Sequence, residues 1–186
     1  HLKKKQIVPI LIIWIVLLFS LFSCATSTAL RESLAFEYFT LAEEYYELKK
    51  WDKALEFYTK SSQSENVYTN SLYKIGLIFV EQKKYDKAEN VFDDLLKKDT
   101  KNATILSQLA FVKSKQKKFL EAIYLYEDIL LMYPMDQTTK KNLALVYWYN
   151  GDTEKARSIQ KELIDENPLD TSLKDLLKED EGNKAG

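Results

Sequence analysis

One residue in this chain is placed to carry covalent chemistry. Cys24 is the sole cysteine among 186 residues. It follows an apolar run from Ile7 to Phe22, broken by Pro9 and Ser20, which itself follows Lys3, Lys4 and Lys5. A positive segment, an apolar segment and then a polar chain is the layout of a secretory signal. A lone cysteine closes no intramolecular disulfide. The sole histidine is His1, ahead of that signal, so the chain beyond it offers no Cys–His or Ser–His pair and no His/Cys metal site. The many Asp and Glu alternate with Lys at helical spacing, the pattern of solvated helix faces with i,i+4 pairs. Nothing singles out two of them as an acid–base pair. With four glycines there is no glycine-rich phosphate loop. These observations argue against an enzyme, and for a chain without cofactor or metal.

The elements behind these residues repeat. Trp51–Tyr58 (WDKALEFY) recurs as Tyr85–Phe92 (YDKAENVF), Phe119–Tyr126 (FLEAIYLY) and, more faintly, Thr153–Gln160 (TEKARSIQ). Ala54, Ala88, Ala122 and Ala156 are thus 34 residues apart. Leu41-Ala42, Ile75-Gly76, Leu109-Ala110 and Leu143-Ala144 keep the same step, as do Tyr45, Phe79, Lys113 and Tyr147. Pro134 and Pro168 close the last two units, with Asn66 and Thr100 in the matching places. A fixed period in this range marks stacked helix pairs, each too small to bury both its faces alone.

These columns resemble the tetratricopeptide repeat, over residues 35–170. The resemblance implies an all-α, right-handed superhelical solenoid of about four helix pairs, 35–68, 69–102, 103–136 and 137–170. A capping helix is expected over 171–179, at Leu173, Leu176 and Leu177, and a disordered tail over 180–186. Small residues are expected where the two helices of a unit cross, and aromatics between neighbouring units. The leading aromatic of the family signature is here Tyr38, Leu72, Leu106 and Lys140, and Thr153 and Gln160 replace aromatics in the fourth unit. That unit is expected to pack less tightly, or against something outside the chain.

In tetratricopeptide proteins the first helices line a concave groove. By register the resemblance points Phe36, Phe39, Tyr46, Asn70, Tyr73 and Leu77 into it from the first two units. Phe111, Lys141, Leu145 and Trp148 follow from the third and fourth units. The set is mainly apolar and aromatic. The family's carboxylate clamp needs several Lys, Arg and Asn, and Asn70 and Lys141 stand alone, so an apolar peptide or helix fits better than an acidic carboxyl terminus.

The amino terminus is similar to a bacterial lipoprotein signal. Leu21 stands three residues before Cys24 and the small Ser23 just before it. The resemblance implies cleavage of residues 1–23, acylation of Cys24, and a tether over 24–34. Retention of the run as a membrane helix is the rival reading; its roughly 16 residues fall just short of the usual span. Either reading places the repeats outside the cytoplasm, on the periplasmic or outer face of a bacterial membrane. The composition adds an exclusion: 27 basic and 28 acidic side chains give a formal net charge of −1, without the basic excess of a nucleic-acid footprint. The expected function is a lipid-anchored, non-catalytic adaptor or scaffold that holds an envelope protein or peptide, or a second copy of itself. A transporter-associated ligand-delivery protein and a surface adhesin are the alternatives.

Overall fold

The computed structural model describes residues 28–177. The signal, Cys24 and residues 178–186 lie outside them. Contacts divide the chain into two units, His1–Leu72 and Tyr73–Gly186. Every regular element among the described residues is helical. Helix α1 covers 28–47, and is followed by α2 (Trp51–Ser61) and α3 (Glu65–Glu81), which crosses from the first unit into the second. The second unit continues with α4 (Tyr85–Leu96), α5 (Ala103–Lys115), α6 (Phe119–Met132), α7 (Gln137–Asn150) and α8 (Thr153–Glu166). It closes with a 3-10 turn at Thr171–Lys174.

The 34-residue step is written into the backbone. Lys49, Lys83, Lys117 and Gly151 all have positive φ, at 55°, 56°, 62° and 93°. At each, the residue's N–H reaches three residues back and the next N–H reaches five back, as in Lys83 N to Val80 O and Lys84 N to Phe79 O, both 2.8 Å. This is the Schellman stop, which satisfies the last carbonyls of a helix and favours glycine at its left-handed position. The paired lysines at 49–50, 83–84 and 117–118 therefore do more than meet the helix dipole: the first of each pair holds a conformation that costs a side-chain-bearing residue about 1 kcal/mol. Lys83→Gly and Lys117→Gly are each expected to raise stability by about 0.5 kcal/mol, read as a higher urea midpoint with an unchanged slope. A fall in midpoint would show that the lysine side chains matter more than the strain.

The starts of the first helices follow a second column. Asn102 accepts from Ile105 N, Asp136 from Thr138 N and Thr139 N, and Asp170 from Ser172 N. These are N-caps, each satisfying otherwise unpaired amides. The matching residue one repeat earlier is Tyr68, which cannot cap in this way, and Asn66 replaces the helix-breaking proline. Helix α3 accordingly begins at Glu65, four residues before the expected unit boundary. Asp152 occupies the N-cap position of α8 without a side-chain cap; it accepts instead from Asn150 Nδ2 at 2.6 Å.

The alanine columns behave as crossing points. Ala54, Ala88, Ala122 and Ala156 are fully buried, as are Ala42, Ala110 and Ala144. Four residues beyond the first column lie Tyr58, Phe92 and Tyr126, all buried. Gln160 stands in the fourth copy and does something else. Its Nε2 donates to Leu173 O at 2.8 Å and to Lys174 O at 3.3 Å, holding the closing turn on α8. Leu173 and Leu177 are buried there. The last unit is thus packed, on the chain's own carboxyl segment.

Two expectations need correction. Residues 28–34, expected as tether, are helical, since Ala29 to Leu34 contains neither Gly nor Pro and nothing stops α1 from extending. The expected capping helix is a single 3-10 turn, too short for a helical face. At the serine-rich end of α2, Ser61 and Ser64 are buried: Ser61 Oγ lies 2.9 Å from Tyr58 O and 2.7 Å from Ser71 Oγ, whose own oxygen lies 2.7 Å from Val67 O. Short hydroxyls bonded to the preceding turn let the helices meet closely without orphaned polar groups.

Candidate protein-binding face

In the first unit, Phe36 is 62% exposed and Asn70 is exposed. Phe39 and Tyr46 are half-buried. Both pack edge-on against Tyr58, at 5.6 and 6.4 Å, and Tyr46 also meets Trp51 at 5.3 Å. The Tyr58 hydroxyl donates to Glu43. These aromatics build the core of that unit as much as its surface, while Phe36 projects from it.

In the second unit, Tyr73, Leu77, Phe111 and Leu145 come from α3, α5 and α7, and each is half-buried. The Tyr73 ring lies 6.2 Å from Phe92. Burial raises the Tyr73 phenol above its usual value, and Gln108 bonds to it, so it stays neutral. Lys115 Nζ sits 5.1 Å over the Phe111 ring. Lys141 Nζ lies 3.5 Å from Asp170, which occupies the one groove cation on this unit. Trp148 departs from expectation. It is 5% exposed and belongs to the core cluster with Leu106, Tyr126 and Tyr147. An indole three residues beyond Leu145 rotates toward the neighbouring helices, and Arg157 lies over its ring at 5.7 Å.

The polar chemistry sits where aromatics were expected. Lys113, in the aromatic column, has its side chain 11% exposed and reaches Glu89 at 2.6 Å and Glu121 at 2.5 Å. Lys118 reaches the same Glu89 at 3.0 Å. Burial alone would raise the Glu89 carboxyl, but hydrogen bonds from Lys113, Lys118 and Gln116 outweigh it and hold it at about 2. Lys140, in the leading aromatic column, is buried and donates to Glu162 at 2.6 Å and Glu166 at 2.7 Å. Both lysines span from the first to the second helices, bridging by charge where the other copies carry Tyr45, Phe79 and Tyr147 in the one column and Tyr38, Leu72 and Leu106 in the other. Among the described residues, no group of three His, Cys, Asp or Glu is arranged to hold a metal ion, and no helix is long and apolar enough to cross a membrane.

Two stretches, residues 70–101 and 142–168, match family models of the tetratricopeptide repeat. The chain carries tetratricopeptide repeats in these stretches. Among solved structures, MamA from Desulfovibrio magneticus RS-1, from residue 41 to its end, is 21% identical with a TM-score of 0.70, over 77% of this chain and 81% of that one. A tetratricopeptide repeat protein from Parabacteroides merdae is 19% identical with a TM-score of 0.70, over 81% of this chain and 61% of that one. The first tetratricopeptide domain of Spaghetti (RPAP3), solved with the HSP90 peptide SRMEEVD, is 18% identical with a TM-score of 0.56, over 62% of this chain and 91% of that one. At these identities the likeness is one of fold. No curated protein matches the sequence.

Sequence reasoning overlooked one feature, the outer surface of α6. Leu120, Tyr124 and Leu131 are exposed there. The signal was available in the register. Leu120 matches Asp52, Asp86 and Glu154; Tyr124 matches Glu56, Asn90 and Ser158; Leu131 matches Gln63, Lys97 and Asp165.

Proposed function

We propose that this tetratricopeptide protein is a non-catalytic adaptor that holds an apolar segment of a protein partner, and that it does so while lipid-anchored through Cys24 at a bacterial envelope membrane. The observation that carries the binding role is the half-exposed row of Tyr73, Leu77, Phe111 and Leu145 on the first helices of the second unit. Such surface is costly to leave in water and serves recognition of an extended peptide or helix. The HSP90 peptide in the Spaghetti structure carries acidic residues; here the one groove lysine of this unit is engaged by Asp170, which favours an apolar ligand instead. The anchor rests on Lys3 to Lys5, the Ile7–Phe22 run and Leu21, Ser23 and Cys24. Two or more acyl chains hold a protein on a membrane stably.

Both halves are testable in cells. Cys24→Ser is expected to abolish incorporation of labelled palmitate; persisting label would sink the anchor. Crosslinking the full chain in intact cells is expected to capture one discrete envelope protein. Phe111→Glu combined with Leu145→Glu should reduce that capture at least tenfold, as expected for loss of two central apolar contacts worth about 1–2 kcal/mol each. Capture undiminished in this variant would remove the face from the binding role.

A further inference from the structure

We infer that the outer face of α6 docks a second copy of this chain, α6 against α6 in antiparallel sense about a two-fold axis. The face is built in a part of the repeat that is ordinarily polar. Leu120, Tyr124 and Leu131 are 60%, 66% and 81% exposed, and Met135, just past the helix, is 72% exposed. The positions matching Leu120, Tyr124 and Leu131 in the other units carry Asp, Glu, Asn, Ser, Gln or Lys; the Met135 position carries Val67, Lys101 and Leu169. Packing within the unit does not ask for these side chains, because Ala122, Ile123, Tyr126 and Ile129 already fill the buried side of the helix.

The spacing specifies a helical partner. Leu120, Tyr124, Glu127 and Leu131 are separated by four, three and four residues, the rhythm of a seam between two nearly aligned helices. Glu127 in its middle does not present a free carboxylate. It is half-buried and accepts from the Tyr147 hydroxyl at 2.5 Å.

Self-complementarity selects a second copy. A two-fold axis near the middle of α6 lays Leu120 on Leu131 of the second copy, and Leu131 on its Leu120. It sets Tyr124 opposite Glu127 of the second copy and next to its Asp128, whose exposed carboxylate can accept the phenolic hydrogen. A two-fold contact uses the same patch twice, and this one matches itself end for end. With Tyr133 and Met135 the exposed apolar area is roughly 600 Å2, at the top of the range for patches on monomers and near the ~800 Å2 each partner gives a standard interface. That size fits a reversible dimer with a dissociation constant on the order of 10 µM. Glu121 and Asp128 on the same outer face disfavour an anionic lipid surface as the occupant.

The test uses the full chain in mild detergent with the photocrosslinker benzoylphenylalanine at position 120. Irradiation is expected to give a covalent dimer whose linkage maps to residues around Leu131 of the other copy. Sedimentation should show reversible association in the micromolar range. Leu131→Asp, at a site exposed enough to leave the far-UV circular dichroism unchanged, should lower the crosslinked yield at least tenfold. The inference is overturned if the yield is unchanged in that variant, or if the linkage maps elsewhere. It is equally overturned if the chain stays monomeric at 100 µM or above, about ten times the expected constant, or if the probe in intact cells captures a different protein and no second copy.

Discussion

Phe92→Ala is expected to lower the unfolding free energy by about 3–5 kcal/mol. The Phe92 side chain is fully buried, and its ring meets Tyr73 on one side and the backbone of α3 at Gly76 on another. A methyl group built on Gly76 would lie 2.6 Å from Cε1 and 2.8 Å from Cζ of that ring. The ring occupies the space a β-carbon would fill, so the glycine and the aromatic define one another. This predicts a change of sign between backgrounds. Gly76→Ala alone gains about 1 kcal/mol of helix propensity but forces a buried ring to move, and the net is a loss of about 1–2 kcal/mol. In Phe92→Leu, which lacks the outer ring atoms, the same change is expected to be neutral or stabilising. Urea titrations of the four chains give the coupling directly. Equal effects in both backgrounds would show that the glycine is there for some reason other than the ring.

That pair was half legible in the sequence. The 34-residue period placed Gly76 in a column of small residues and Phe92 in a column of aromatics, and a helix-interior glycine already called for a close approach. The period also located all the crossing alanines, because small residues at a crossing have no substitute. It failed where one chemistry replaces another at the same place. Lys113 and Lys140 read as lapses from an aromatic column, yet each spans the same gap with ion pairs. Gln160 read as loose packing, yet it binds the carbonyls of a short closing turn that stands where a further first helix would begin. Trp148 was assigned to the binding face by register alone, and register gives a position on a helix without giving the rotation of a large side chain. The positive φ of Lys49, Lys83 and Lys117 was hidden because only the fourth copy of that column carries the glycine that announces such a turn. The α6 stripe was visible in the columns, but a search for features that repeat passes over one that occurs once.

Acid should unfold this protein partly through one carboxylate. Glu89 has its side chain 17% exposed between Lys113 and Lys118, and its folded value of about 2 lies below the ordinary 4.5 of a free glutamate. The unfolded chain therefore takes up the proton first, and stability from this group is complete above about pH 4.5 and lost as pH falls from there towards 2. The shift corresponds to an upper bound of about 3 kcal/mol. Asp93 works in the opposite direction. Burial raises its carboxyl against the pull of Lys113, so protonating it favours the folded chain and masks part of the loss in the wild type. Subtracting a variant separates the two. Glu89→Gln is expected to cost about 2 kcal/mol at pH 7, where Lys113 keeps Glu121 at 2.5 Å but loses its more buried partner. The gap between wild type and variant should then shrink steadily below pH 4.5 and nearly close by pH 2, where the wild-type carboxyl is half protonated. A gap that stays constant over that range in urea titrations would mean that Glu89 holds α4 to α5 by shape and not by charge. The Lys113 substitution in the aromatic column would then need another explanation than the bridge it makes.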